Sequence, residues 1–202
     1  MPVWQGLYEE LKGHGFVVIT VALDKTADDA RPFIETAAPT HPSLIDTDHV
    51  VADLYDFVNV PTVVWIDEQG RIVRPNDVAF GSDQFKDLHG IESAPHHAAL
   101  RAWVTRNKIP FTPEQARERQ MLPTNEVQLA RAEFTLAWHL HQAGKTDAAE
   151  RHFVRAGELA PHDFTIRRGS MPIRGLDPMG APFAELYMEW QQAGRPYYVP
   201  LK

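Results

Sequence analysis

Residues 51 to 73 read VADLYDFVNVPTVVWIDEQGRIV, and this stretch decides the fold. Apolar side chains on one side predict a helix over residues 49–57. Residues 60–67 form an unbroken, largely β-branched run, which is typical of a strand buried on both faces. Residues 68–70 predict a hairpin turn in which Gly70 supplies a positive φ, and residues 71–74 begin the returning antiparallel strand.

On both sides of this stretch the chain alternates between helices and strands. Apolar periodicity predicts helices over residues 3–11, 27–38 and 95–106. Residues 16–23 read FVVITVAL, which predicts a second strand buried on both faces, and residues 44–46 look like a short extended piece. This order of elements indicates the α/β class.

The stretch at 51–73 resembles the thioredoxin-like ResA/TlpA group and its redoxin (AhpC/TSA-like) relatives. The shared features are an alanine and tyrosine helix, Val-Pro-Thr opening a strand, and Ile-Asp-x-x-Gly-x-Ile at the hairpin. The resemblance extends over residues 1 to about 107. It implies an α/β, thioredoxin-like fold that is incomplete, because the first strands of such a domain are not in the chain.

The same resemblance implies a site. In the family, the proline that matches Pro61 is cis and faces the redox dithiol. Val60, Pro61 and Thr62 would therefore form a wall that contacts an extended substrate. Considered without the resemblance, Pro61 can also be an ordinary trans proline that opens a strand.

The chain contains no cysteine, so it carries no catalytic thiol. The reactive motif of the family opens the helix predicted at residues 3–11, so we expect it just upstream of Met1, together with a central strand. We therefore interpret the chain as a truncated fragment. It looks similar to ResA-like selenoproteins with a Trp-Ala-x-x-Sec-Gly-Cys motif, and an upstream in-frame TGA followed by Gly-Cys codons would support that hypothesis.

The resemblance implies a thiol- or selenol-disulfide oxidoreductase, or a peroxiredoxin-like redox protein. Its substrates would be protein thiols and disulfides, or peroxide. In such chemistry a low-pKa chalcogen attacks the substrate and a second thiol resolves the intermediate. The chain as written should be inactive. The alternative is a non-catalytic thioredoxin-fold interaction module with a helical docking tail.

The second half of the chain predicts an α-helical region. Residues 130–161 resemble a single tetratricopeptide (TPR) repeat, with Gly144 at the turn and Pro161 at the end, although Glu133 stands where the repeat usually has Trp. This hairpin either packs on the redox domain or offers a platform for a protein partner. The predicted domains are a thioredoxin-like domain (1–107), a linker (108–124), a TPR-like hairpin (125–163), and a Gly/Pro-rich loop with a C-terminal helix (164–202).

Residues 167–180 are rich in Gly and Pro and predict a long loop, followed by a helix over residues 182–193. Two interpretations of this loop are open. In the first, the loop has a function and covers the redox site or binds an anionic partner. In the second, it is a surface loop anchored by Met171, Ile173 and Leu176.

Composition excludes several classes of function. The net charge of −7 and the lack of a basic patch argue against nucleic acid as the main partner. The longest apolar run, residues 16–23, is too short for a transmembrane segment. Localisation stays open: the chain as written reads as cytoplasmic, and an exported or membrane-tethered protein is compatible with a missing N-terminus.

No cofactor and no metal are predicted. The adjacent pair His96 and His97, and the pair His139 and His141 two residues apart, do not place both imidazoles on one helix face. We expect these histidines to be exposed or to cap helices.

Overall fold

A computed structural model of the chain describes residues 2–78, 81–84, 86, 92–120 and 122–194. This described part is mixed α/β and mostly helical, which confirms the α/β class at a coarse level. Its elements in chain order are α1 (Pro2–Leu11), β1 (Thr20–Leu23), α2 (Ala27–Ala37), β2 (Ser43–Asp46), α3 (Val50–Leu54), β3 (Thr62–Ile66), β4 (Ile72–Val78), α4 (Ser93–Arg106), α5 (Pro113–Arg119), α6 (Asn125–Gln142), α7 (Thr146–Leu159), α8 (Phe164–Ser170) and α9 (Ala181–Gln192).

Packing divides the chain into two compact units. The first takes in the described residues among 1–47 and 63–120, and the second those among 48–62 and 121–198. These units do not follow the division at residues 107 and 124 that we drew from the sequence. Residues 48–62, which we assigned to the thioredoxin-like domain, pack within the second unit, and α5 of the supposed linker packs within the first.

The core of the first unit forms between α1, β3 and α4. Leu7 and Leu11 lie one helical turn apart on α1 and are buried with Trp65 of β3 and Leu100 of α4. Trp65 stacks on Trp103 with 5.0 Å between the ring centroids. Burial of these large side chains stabilises the unit by about 1.5–3 kcal/mol each.

The strands form two separate pairs. β1 pairs with β2 in parallel, from Thr20 opposite Ser43 to Leu23 opposite Asp46. β3 and β4 form the predicted hairpin, whose turn is closed by a 2.9 Å bond from the Asp67 N–H to the Arg71 carbonyl. Gly70 adopts a φ of 76°, as the turn requires.

The prediction of a strand buried on both faces over residues 16–23 is wrong. Only Thr20–Leu23 form a strand, and Val17 and Ile19 remain 51% and 57% exposed. In the described part of the chain β1 belongs to a two-stranded sheet, and all four of its residues are only half-buried. A continuous β-branched run predicts double-sided burial only where other elements cover both faces of the sheet.

The helix predicted over residues 49–57 is shorter than expected. It covers Val50–Leu54, because His49 and Asp56 adopt left-handed backbone conformations, with φ of 58° and 52°. A residue in this region cannot continue a right-handed helix. The following strand is also shorter than predicted, because β3 begins at Thr62 rather than at residue 60.

The second unit contains the predicted helical hairpin, α6 and α7. Small side chains let the two helices approach closely, and Phe134 meets Phe153 edge to face with 5.5 Å between ring centroids. Gly144, with a φ of 72°, lies in the turn. That this hairpin is a tetratricopeptide repeat stays a prediction.

The Gly/Pro-rich tail contains more helix than the sequence predicted. α8 occupies Phe164–Ser170, because Asp163 caps its first turn, and α9 covers Ala181–Gln192 close to the predicted position. Of the proposed anchors, Met171 is buried with Leu186 and Trp190, and Ile173 packs against the α6–α7 core. Leu176 remains 36% exposed.

Candidate functional site

The residues that the resemblance singled out, Val60, Pro61 and Thr62, lie at the N-terminal end of β3. Val60 and Pro61 are exposed, Val60 by 48%, and Thr62 is half-buried. The Val60–Pro61 peptide bond is cis, as the resemblance of residues 51–73 led us to expect. The Thr62 hydroxyl donates a 2.6 Å hydrogen bond to the Asn59 carbonyl, which fixes the turn just ahead of the strand.

Arg131 of α6 holds the loop that leads to these residues. Its Nη1 donates to Asp53 at 2.8 Å, and its Nη2 donates to Asp56 and to the Phe57 carbonyl, both at 2.9 Å. Arg131 is only 9% exposed. The planar guanidinium therefore ties a helix end and the following loop to the helical hairpin with several donors at fixed angles.

Asp163 completes this cluster from the start of α8. Its Oδ2 accepts from Arg131 Nη2 at 3.3 Å, while its Oδ1 accepts from the backbone N–H groups of Thr165 and Ile166 at 2.9 and 3.2 Å. The Phe164 N–H donates to the Val58 carbonyl at 2.7 Å. The loop before Val60 is thus bonded on both sides within the second unit. We call Arg131, Asp53, Asp56 and Asp163 the Arg131 cluster.

In the Arg131 cluster, one guanidinium faces three carboxyl groups. Burial raises the pKa of Asp56 and of Asp163, against the pull of Arg131. Burial also opposes the charge of Arg131, but Asp163, Asp53 and Asp56 together raise its pKa. The cluster is a structural support for the loop, and no member of it is placed in the wall itself.

A second buried polar cluster lies in the first unit. Arg74 of β4 is 1% exposed, forms an ion pair with Asp77, and lies over the Trp65 ring at 4.8 Å. Its Nη2 also lies 2.9 Å from Nδ1 of His96 on α4. Our expectation that His96 is exposed or caps a helix is wrong, because this contact and its burial place it in the interior.

The surroundings of His96 keep its imidazole neutral. Burial is the main cause of its lowered pKa, and the positive charge of Arg74 adds to it. Beside this cluster is a small cavity of about 10 Å³, lined by Trp4, Trp65, Arg74, His96 and other residues. That volume is about what one water molecule needs, so the cavity cannot take a larger ligand in this conformation.

Sequence reasoning missed both buried arginines. Arg131 stands on a helix face next to Ala130 and Phe134, where an arginine interrupts an otherwise apolar core stripe, and that interruption was the available signal. Arg74 was noted only as part of residues 71–74, which begin the returning antiparallel strand. The partners of Arg131 could not be found from local spacing, because they lie 32 to 79 positions away, whereas Asp77 lies only three residues after Arg74.

The structure limits other kinds of site. In the part of the chain that is described, no group of three or more His, Cys, Asp or Glu side chains is arranged to hold a metal ion. None of the described helices is long and apolar enough to cross a membrane.

Three comparisons with known proteins gave no relatives. No family model matches the chain, and no curated protein and no solved structure matches it significantly.

Proposed function

We propose that the chain is part of a thiol- or selenol-disulfide oxidoreductase, or of a peroxiredoxin-like redox protein, and that it supplies the substrate-facing wall Val60, Pro61 and Thr62. The observation that carries the proposal is the exposure of Val60 and Pro61 in a bonded loop at the entrance to β3. The similarity of residues 51–73 to the ResA/TlpA group supports the choice of a redox substrate.

The proposed substrate is an extended peptide segment next to a disulfide. Exposed backbone ahead of a strand can pair with such a segment, and main-chain hydrogen bonds then supply affinity without a deep pocket. The exposed side chain of Val60 would contact apolar groups of the substrate. The Arg131 cluster supports this reading because it holds the loop before Val60 in place, which lowers the entropic cost of binding.

The chain supplies none of the redox atoms itself. It contains no cysteine, so disulfide exchange and peroxide reduction both lack a nucleophile here. We expect the chain to give no turnover in an insulin-reduction assay and no peroxide consumption. Turnover in either assay would overturn the proposal that the chain binds the substrate but contains no catalytic residue.

Binding of a labelled peptide tests the wall directly. The probe is an extended, fluorescein-labelled peptide with a glutathione-linked cysteine, and the readout is fluorescence anisotropy. Val60→Lys should weaken binding, since it introduces a charge into the apolar contact. Ile66→Lys, at the far end of β3 and 42% exposed, is the matched control and should bind normally. Equal affinities of the two variants for the peptide would contradict the proposal that Val60 contacts the substrate.

A second candidate function rests on α6. Leu129 and Leu136 are seven residues apart on this helix and are 47% and 42% exposed, so an apolar stripe faces solvent. Such a stripe fits the alternative of a non-catalytic interaction module that docks a protein partner. In the same anisotropy experiment, Leu136→Lys should leave binding unchanged if the wall is the site. A loss with Leu136→Lys and none with Val60→Lys would favour the interaction module.

A further inference from the structure

Met179 presents its thioether to solvent in the segment between α8 and α9. Of the five methionines in the chain, the structure describes three. Met171 is buried, at 5% exposed, whereas Met188 is 52% and Met179 is 68% exposed. The proposed function uses none of these sulfur atoms. In a chain without cysteine, an exposed thioether is the sulfur that an oxidant in solution can reach.

Hydrogen bonds hold the main chain around Met179 in a defined turn. The Met179 N–H donates to Oδ1 of Asp177 at 2.9 Å, and the Gly180 N–H donates to the Asp177 carbonyl at 3.2 Å. Nε of Arg168, on α8, donates to the Pro178 carbonyl at 3.0 Å. The backbone beside the sulfur is therefore bonded to α8, although the Met179 side chain itself is open to solvent.

The guanidinium of Arg168 also contacts the sulfur. Its Nη2 lies 2.8 Å from Sδ of Met179, and its Cζ lies 4.5 Å from the centroid of the Phe183 ring. Only two of its five N–H donors have a partner among the described residues. Arg167 and Arg174 each pair with a glutamate, whereas Arg168 pairs with no carboxylate in the described part of the chain. Arg168 thus brings an uncompensated positive charge and three further N–H donors to the sulfur.

We propose that Met179 is a site of oxidation by peroxides, and that Arg168 promotes the reaction and holds its product. A lone pair of Sδ attacks one peroxide oxygen, the O–O bond breaks, and the second oxygen leaves as hydroxide. The hydroxide takes the proton that remains on the transferred oxygen, which gives water and methionine sulfoxide. The thioether is oxidised by two electrons and the peroxide is reduced by two.

The position of Arg168 suits both steps. The leaving oxygen gains negative charge as the O–O bond breaks, and N–H donors already in place beside the sulfur stabilise that charge. The sulfoxide oxygen is a stronger hydrogen-bond acceptor than the thioether, which accepts weakly, so it takes over the bond from Nη2 of Arg168. Met188 has no such donor among the described residues and is exposed to the oxidant alone.

The reaction ends after one peroxide per sulfur, because the chain contains no thiol that could reduce the sulfoxide. It is therefore distinct from the catalytic peroxide consumption that we do not expect of this chain. The inference does not rest on the proposed redox function. A failure of peptide binding at Val60 would leave the oxidation of Met179 unaffected, and a failure of the oxidation would leave peptide binding unaffected.

Oxidation of the intact chain with hydrogen peroxide, followed by mass spectrometry of its peptides, tests the proposal. A glutamate-specific protease cleaves after Glu185 and so separates Met179 from Met188. The sulfoxide should form at Met179 about threefold to tenfold faster than at Met188, the internal control of comparable exposure. Met171 should stay unoxidised, because it is buried, and this verifies that the chain is folded. Equal rates at Met179 and Met188 would overturn the proposal.

Substitution of Arg168 separates its effect from exposure. Arg168→Gln should slow oxidation at Met179 to about the rate at Met188, and Arg168→Lys should keep part of the acceleration because the charge stays. Arg155→Gln is the matched control, since Arg155 is an exposed arginine of α7 that pairs with Glu158, and it should oxidise like the wild type. Unchanged oxidation of Met179 in Arg168→Gln would overturn the role of Arg168. If that variant does not fold, the comparison of Met179 with Met188 in the wild-type chain still decides.

Discussion

Two arginines carry much of the buried polar chemistry, Arg131 in the second unit and Arg74 in the first. Each is almost fully buried, and each faces at least one carboxylate. A buried ion pair adds little net stability compared with apolar residues, but removal of one partner leaves an uncompensated charge. Substitutions at these two residues should therefore be among the most costly in the chain.

Arg131→Met should lower the free energy of unfolding by about 3–5 kcal/mol. The substitution leaves Asp163 buried without its cation and releases the Phe57 carbonyl. Urea unfolding followed by circular dichroism measures the change. Arg151→Met is the control, because Arg151 is exposed on α7 and, among the described residues, bonds only to the Asp147 carbonyl at 3.1 Å. It should change stability by less than about 0.5 kcal/mol. Similar losses in both variants would contradict the role of the Arg131 cluster.

A double substitution separates the ion pair of Arg74 from its packing. Arg74→Met alone should cost about 3–5 kcal/mol, because it leaves the carboxylate of Asp77 buried and unpaired. The combined Arg74→Met and Asp77→Leu variant should recover much of that loss, since both charges of the pair are then removed from the interior. The measurement is again urea unfolding. A double variant less stable than Arg74→Met would show that the pair contributes through something other than mutual charge compensation.

His96 should make stability fall in mild acid. Its pKa is lowered in the folded state, mainly by burial, from an ordinary value of 6.5. Above that pH both states hold a neutral imidazole. As pH falls below 6.5, the unfolded state binds the proton first, so stability decreases until the pH reaches the lower pKa of the folded state.

Removal of the imidazole tests this dependence. His96→Gln should show a smaller loss of unfolding free energy between pH 8 and pH 5 than the wild-type chain. His139→Gln, a change at an exposed histidine of α6, should follow the wild-type curve. Identical pH dependence in wild type and His96→Gln would contradict the buried, neutral imidazole.

Among the elements, the position of the hairpin turn was predicted correctly, but the burial of the strand over residues 16–23 was not. The hairpin of β3 and β4 was predictable because Asp67 and Gly70 are local signals with a direct conformational cause. The burial of the strand over residues 16–23 was not predictable, because it depends on packing neighbours that a local pattern does not specify. The short helix α8 was missed because most of its residues were assigned to the Gly/Pro-rich loop, although Asp163 ahead of it is a local N-cap signal.

Asp67 should make the hairpin sensitive to acid. The backbone N–H of Arg71, at 2.9 Å, is the main cause of the lowered pKa of Asp67, and the Arg71 side chain and the Gln69 N–H add to it. A carboxyl group with a lowered pKa contributes stability above its ordinary value of 3.8, and this contribution is lost as pH falls through the folded-state pKa.

The comparison of Asp67→Asn with the wild-type chain measures this contribution. The wild type should be more stable at pH 7, and the difference in unfolding free energy between the two proteins should narrow as pH falls toward pH 3. Glu68→Gln removes the same charge from the exposed neighbour in the turn and should leave stability nearly unchanged at both values. A difference in unfolding free energy that stays constant with pH would mean that the Asp67 charge does not contribute to stability.

At the scale of the whole molecule, the sequence predicted the class of fold but not the division into units. Local periodicity predicted several helices of the first half, and the α/β class followed from their alternation with strands. The α6–α7 hairpin was predicted from the resemblance of residues 130–161 to a tetratricopeptide repeat. The placement of residues 48–62 in the second unit depends on Arg131, whose partners lie far away along the chain. Such long-range bonds have no signature in spacing, so the boundaries drawn at residues 107 and 124 could not anticipate them.

The wall at Val60, Pro61 and Thr62 was identified by resemblance rather than by spacing. Its neighbours explain why it is presented at the surface: the Thr62 hydroxyl bonds to Asn59, and the Phe164 N–H bonds to Val58. The chain thus holds a short exposed segment in a fixed loop. The role that we propose for this segment is therefore binding rather than turnover.

Backbone amide NMR during titration with the unlabelled glutathione-linked peptide tests this claim most directly. The largest chemical-shift changes should occur at the amides of Val60 and Thr62, with Ile66 unaffected, and Val60→Lys should abolish them. Changes confined to the outer face of α6 around Leu129 and Leu136, or no changes at all, would contradict it.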